Sequence, residues 1–197
     1  MQWILVGLGN PGSEYVGTRH NVGREMLQHI VHEAGIGEWK VDKKLHAQAT
    51  KGEIDGKKVL VVLPDTYMNS SGGSLKTLVL SKKQAEQTVV LHDDLDIPLG
   101  KIKLSFGSGA GGHKGVESIH KVIKTKDVVR IRIGISPATP KGKLKKPDSA
   151  DIVDFVLGTF KPSERAKLET AKKNIHDAIT LLLSEGRAKA MTEINSR

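Results

Sequence analysis

Trp3-Ile4-Leu5-Val6-Gly7-Leu8-Gly9-Asn10-Pro11-Gly12 decides the fold. An apolar run breaking into turn formers reads as a buried strand with an abrupt end. A helical pattern follows. Val22, Met26, Leu27, Ile30, Val31 and Ala34 share one face, and Gly35 and Gly37 close it. Strand, polar turn and amphipathic helix form the unit of an α/β sheet.

The rest of the chain extends the pattern. Strands are predicted at Ala47–Ile54 and Val59–Leu63, joined by the turn pair Asp55-Gly56, and at Thr88–Leu91 and Lys101–Phe106. A further strand, Val128–Ile135, places Arg130 and Arg132 on one face. A helix carrying Leu75, Leu78 and Val79 is expected to start at Ser71 or Ser74. Another follows the glycine-rich stretch Gly107–Gly115, with Val116, Ile119, Val122 and Ile123 inward. The Pro/Lys/Gly-rich segment 137–149 reads as a mobile loop. A last helical region begins near Pro162, with Leu168, Ala171, Ile175, Ala178, Ile179 and Leu182 on its apolar face. The expectation is a single α/β domain over 1–197, a mixed twisted sheet flanked by helices. Ligands of such sheets gather at the carboxyl ends of the strands.

Composition narrows the chemistry. Without cysteine, no disulfide, thiolate metal site or cysteine nucleophile exists. The net charge of +9 over 197 residues favours a polyanionic partner, nucleic acid before anionic membrane, or else a solvated basic surface. Aromatics at 4% offer few platforms for stacking single-stranded bases. The longest apolar runs are too short to span a bilayer, and the first strand has no features of a secretion signal, so the cytoplasm is the expected location.

Polar clusters follow the strands. Gly7–Gly12 is either a structural turn or a place where Asn10 faces a crevice; Pro11 and Ser13-Glu14 break the dinucleotide-binding spacing. In Thr18-Arg19-His20-Asn21, His20 is either a satisfied structural histidine or a general base. In Pro64–Gly73, Asn69 is either a helix cap or a neutral hydrogen-bonding group. His92-Asp93-Asp94-Leu95-Asp96 offers carboxylates for a metal, or one that orients a histidine while the others are solvated turn residues. Gly107–Gly115 is either a flexible lid or a source of backbone N–H groups at a helix start, without the lysine–hydroxyl ending of a nucleotide loop.

Taken together, Gly7–Gly12 with Tyr15 and Thr18–Gly23, Pro64–Gly72, His92–Gly100, Gly111-Gly112-His113 and Arg130–Ile135 resemble the bacterial-type peptidyl-tRNA hydrolase family in order and spacing. The resemblance covers almost the whole chain. It implies that His20 is the catalytic histidine, Asp93 its orienting carboxylate and Asn10 the asparagine beside the ester. Tyr15, Tyr67, Asn69, His113 and Lys114 fall on the substrate crevice, and Arg132 on a tRNA-phosphate contact. Lys103 lies near the family lysine that assists it, although strict alignment puts Ser105 there. No metal or other cofactor is implied. The expected partner is peptidyl-tRNA alone, bound by a monomer with no membrane or obligatory protein partner. One departure stands out: Lys114 replaces the family's asparagine, and its charge is expected to lower the pKa of His20.

Ester hydrolysis is then the expected reaction. No serine sits in a nucleophile elbow, so a water activated by His20 is the simpler nucleophile. Asn10, Asn69 or loop N–H groups would bind the oxyanion. Two other readings stay open: an RNA-binding relative without turnover, and a small-molecule esterase or nucleoside-cleaving enzyme on a similar sheet.

Overall fold

A computed structural model describes residues 2–197. Seven strands form one mixed sheet: β1 (Trp3–Gly7), β2 (Lys40–Asp42), β3 (Ala47–Ile54), β4 (Lys57–Pro64), β5 (Thr88–Pro98), β6 (Ile102–Phe106) and β7 (Val129–Ser136), in the order β2-β3-β4-β1-β5-β7-β6. The central β4-β1-β5-β7 pairings are parallel; β2-β3, β3-β4 and β6-β7 are antiparallel. Helices α1 (Val22–Glu33), α2 (Lys82–Glu86), α3 (Lys114–Ile123), α4 (Ile152–Leu157), α5 (Pro162–Ser184) and α6 (Arg187–Asn195) complete the domain.

Strand alternation divides the core in two. Leu5, Val61, Val89, Leu91, Ile131 and Ile133 meet apolar residues of α1 and α5 on one face. Ile4, Val6, Leu60, Val62 and Val90 meet Met68, Leu75, Val116 and Ile119 on the other. The Asp55-Gly56 hairpin takes left-handed values, φ 49° and 72°, which suit the twist of its strands. At the β6 edge, Asn195 of α6 donates to the Leu104 carbonyl and accepts from its N–H. This covers an edge that would otherwise be open to another strand.

Two local expectations need correction, and three short elements add to the pattern. No α-helix starts at Ser71 or Ser74. A 3-10 run spans Met68–Leu75, where Ser and Gly residues favour local turns over an α-helix. β5 does not stop at Leu91. Asp93 and Asp94 pair in register with Ile133 and Gly134 of β7, and pairing resumes at Pro98 after a shift. The acidic cluster is therefore strand, not turn. Finally, β2, α2 and α4 are short elements without a sequence period long enough to announce them.

Candidate active site

The site lies at the carboxyl end of β1, beside the middle of β5. Gly23 makes it compact: a Cβ there would stand 2.3 Å from the Leu91 carbonyl oxygen. Only glycine lets α1 start so close to β5. The 3-10 turn Arg19–Asn21, just before α1, is thus held over the middle of β5. Arg19 anchors that turn. Its guanidinium lies against the Phe155 and Phe160 rings and donates to the Thr159 carbonyl and Glu164.

His20 Nδ1 meets Asp93 Oδ1 at 2.8 Å. His113 Nε2 meets the same oxygen at 2.8 Å. His113 Nδ1 accepts from the N–H groups of Gly115 and Val116 and caps α3, so the ring's proton sits on Nε2 and is donated to Asp93. The first turn of α3 is therefore capped by its own histidine side chain. His20 donates its Nδ1–H to Asp93, and its Nε2 has no protein partner among the described residues. The His20 side chain is 14% exposed.

The electrostatics match this geometry. Burial alone would raise the Asp93 pKa, but neighbouring His20 and His113 outweigh it and hold the carboxyl well below the usual range. Burial alone would lower the pKa of His20, but the charge of Asp93 and their hydrogen bond reverse this and raise it above the ordinary 6.5. The downward shift expected from Lys114 does not occur. That side chain is 68% exposed and pairs with Glu117 at 3.2 Å.

Asn10 is fixed from both ends. Asn21 donates through Nδ2 to the Asn10 carbonyl and accepts the Asn10 N–H through Oδ1, at 2.9 and 2.8 Å. Asn10 Oδ1 accepts the Met68 N–H at 2.8 Å. Its Nδ2 is left without a protein partner among the described residues. Tyr15 and Tyr67 form an edge-on pair with centroids 6.5 Å apart, and Asn69 is exposed just beyond Tyr67.

The three acids do not converge. Asp93 serves the histidines, Asp94 accepts from Arg132 Nε at 2.7 Å, and Asp96 pairs with Lys146. Asp94 and Asp96 are thus ion-paired rather than simply solvated. A different group, His20, Asp93 and His113, brings ligand-capable atoms within 4.8 Å of one another. Its donor chemistry fits a cation poorly. A metal-bound imidazole donates its other N–H to a neighbour, whereas His113 Nδ1 is an acceptor.

The two arginines of β7 separate. Arg132 is half-exposed, opposite Lys103 in the β6-β7 register. Arg130 is 3% exposed and belongs to the interior. Sequence reasoning missed three groups: Asn21 as the clamp on Asn10, Arg19 as the anchor of the histidine turn, and His92, whose ring lies 4.7 Å from that of His113. A buried histidine ending an apolar strand was the available signal for the last.

Fold and site together define an α/β domain with a histidine–carboxylate cluster beside the end of β1. The chain matches the family model for peptidyl-tRNA hydrolase over residues 4–197. It is 38% identical to the peptidyl-tRNA hydrolase of Syntrophotalea carbinolica, with 98% of this chain and 97% of the relative aligned. It is 41% identical to that of Carboxydothermus hydrogenoformans, with 98% of each aligned. A crystal structure of peptidyl-tRNA hydrolase from Acinetobacter baumannii superposes with a TM-score of 0.86 at 34% identity, covering 98% of this chain and 94% of the other. The chain belongs to the peptidyl-tRNA hydrolase family.

Proposed function

We propose that this chain hydrolyses the ester joining peptide to tRNA, with a water activated by His20. The observation that carries the reading is the shared Asp93 oxygen. Of the two rings bound to it, only His20 keeps a nitrogen without a protein partner among the described residues.

His20 Nε2 takes a proton from water as the oxygen attacks the ester carbonyl. Asp93 stabilises the imidazolium. Asn10 Nδ2, aided by Asn69, stabilises charge on the carbonyl oxygen. The imidazolium returns the proton to the leaving ribose oxygen, giving a peptide acid and a tRNA hydroxyl. A general base contributes about 10²–10⁴ in rate and one oxyanion donor about 10²–10³. Tyr15 and Tyr67 bound the crevice, His113 orients Asp93, and Lys114 lies at its outer rim. Arg132 and Lys103 contact tRNA phosphate. The chain acts as a cytoplasmic monomer without a metal; peptidyl-tRNA arises where ribosomes work.

The test is release of peptide from purified peptidyl-tRNA, with free aminoacyl-tRNA as control. Peptide release with the control left intact supports the reading. Tight tRNA binding without turnover would make the chain a binding protein.

A further inference from the structure

We infer that Arg130 is a positioning residue for catalysis, acting through His92 and the glycine-rich loop rather than on tRNA. The inference rests on the reading of His20 as the base. Arg130 is buried, and no carboxylate lies within ion-pair distance of it among the described residues. Burying a cation without a counter-ion is unfavourable unless its hydrogen bonds are met. Every acceptor it finds is neutral and belongs to a part that builds the site. Nη2 donates to Ser108 Oγ and to the Gly109 carbonyl, in the loop that ends at His113. Nη1 donates to His92 Nε2 at 3.3 Å.

That last contact sets a tautomer. With Nε2 facing a guanidinium as acceptor, the His92 proton sits on Nδ1 and is donated to the Asp93 carbonyl at 2.7 Å. His92 then packs against His113 at 4.7 Å, and His113 against His20 at 4.9 Å. One guanidinium thus fixes the backbone of the catalytic aspartate and the loop that delivers His113. Arg132, two residues along β7, turns to Asp94 instead.

The experiment uses the full chain carrying Arg130→Met, His92→Asn or His92→Leu. Nitrogen NMR of the imidazoles reads the tautomers; kcat, KM and the salt dependence of tRNA binding are measured alongside. Wild type should show His92 protonated on Nδ1 and His113 on Nε2. Arg130→Met should lose the fixed His92 tautomer and lower kcat about 10- to 100-fold, the range for lost positioning. KM and salt slope should stay unchanged. Asparagine can place an amide N–H where Nδ1 stood, so His92→Asn should keep more turnover than His92→Leu. If Arg130→Met does not fold, the His92 pair carries the comparison. Normal kcat in Arg130→Met, equal losses in both His92 variants, or a raised KM with a salt slope flattened by about 0.7–0.9 would each overturn the inference. Failure of the underlying reading looks different: His20→Ala would then keep its turnover whatever Arg130 does.

Discussion

Two neighbouring regions along β5 and β7 are built on opposite principles. Around Asp93 of β5, His20 and His113 lie in a shielded cluster where both histidines meet one carboxylate oxygen. Around Arg132 and the 137–149 segment, the charges are exposed or half-exposed, and Lys146 and Arg132 meet the strand's other acids. In the first region burial shields the charges and hydrogen-bond geometry fixes which atom holds each proton. In the second, solvent and salt screen the charges, so attraction is broad and register weak. The difference separates chemistry from substrate capture: damage to the first should appear in turnover, damage to the second in affinity.

The sharpest break comes from His20→Ala. It should reduce kcat about 10²–10⁴-fold, the contribution of a general base, while tRNA affinity survives. Single-turnover assays with a parallel binding measurement would separate the two, and full turnover in this variant would sink the mechanism. Arg132→Ala should do the reverse. KM should rise with kcat nearly unchanged, because a phosphate contact serves ground and transition states alike. The log–log slope of binding against salt should flatten by about 0.7–0.9. A variant neutralised at Lys141, Lys143, Lys145 and Lys146 should flatten it as well, with less loss of affinity per charge. Identical slopes in all three proteins would place the tRNA elsewhere. The smallest effect is expected from EDTA, which should leave peptide release unchanged. Activity lost to the chelator and restored by one divalent ion would mean that the buried cluster holds a cation after all.

The same contrast explains what was legible in the sequence. The sheet was readable because buried strands and helical faces have periods, and six strands and the helices at Val22, Val116 and Pro162 lie near where those periods put them. Short elements such as β2 and α4 depend on packing by distant residues. At the site, the residues brought together by the family resemblance were nameable, but their wiring was not. Nothing in Gly111-Gly112-His113 tells that His113 caps its own helix and turns its other nitrogen to Asp93. Nor does alternation tell Arg130 from Arg132, which share a face of β7; the glycine-rich loop closes over Arg130 through Ser108 and Gly109 and leaves Arg132 at the margin. Lys114 shows the opposite error. Its charge was plain in the sequence, but it lies in solvent beside Glu117 and leaves the histidine to Asp93.

The central claim is that Asp93 supports His20 as the base. The direct measurement is an NMR titration of the His20 ring in wild type and Asp93→Asn, set against the acid limb of kcat/KM, which reports the free enzyme. Only the neutral imidazole accepts a proton from water, so activity rises with pH through the pKa of His20. In wild type that pKa should lie above the ordinary 6.5 and coincide with the acid limb. Removing the carboxylate charge takes away what favours the imidazolium and leaves the burial that opposes it. In Asp93→Asn the ring pKa should therefore fall, and any residual activity should extend to lower pH. An unchanged ring pKa, or an acid limb that does not follow it, would contradict the account.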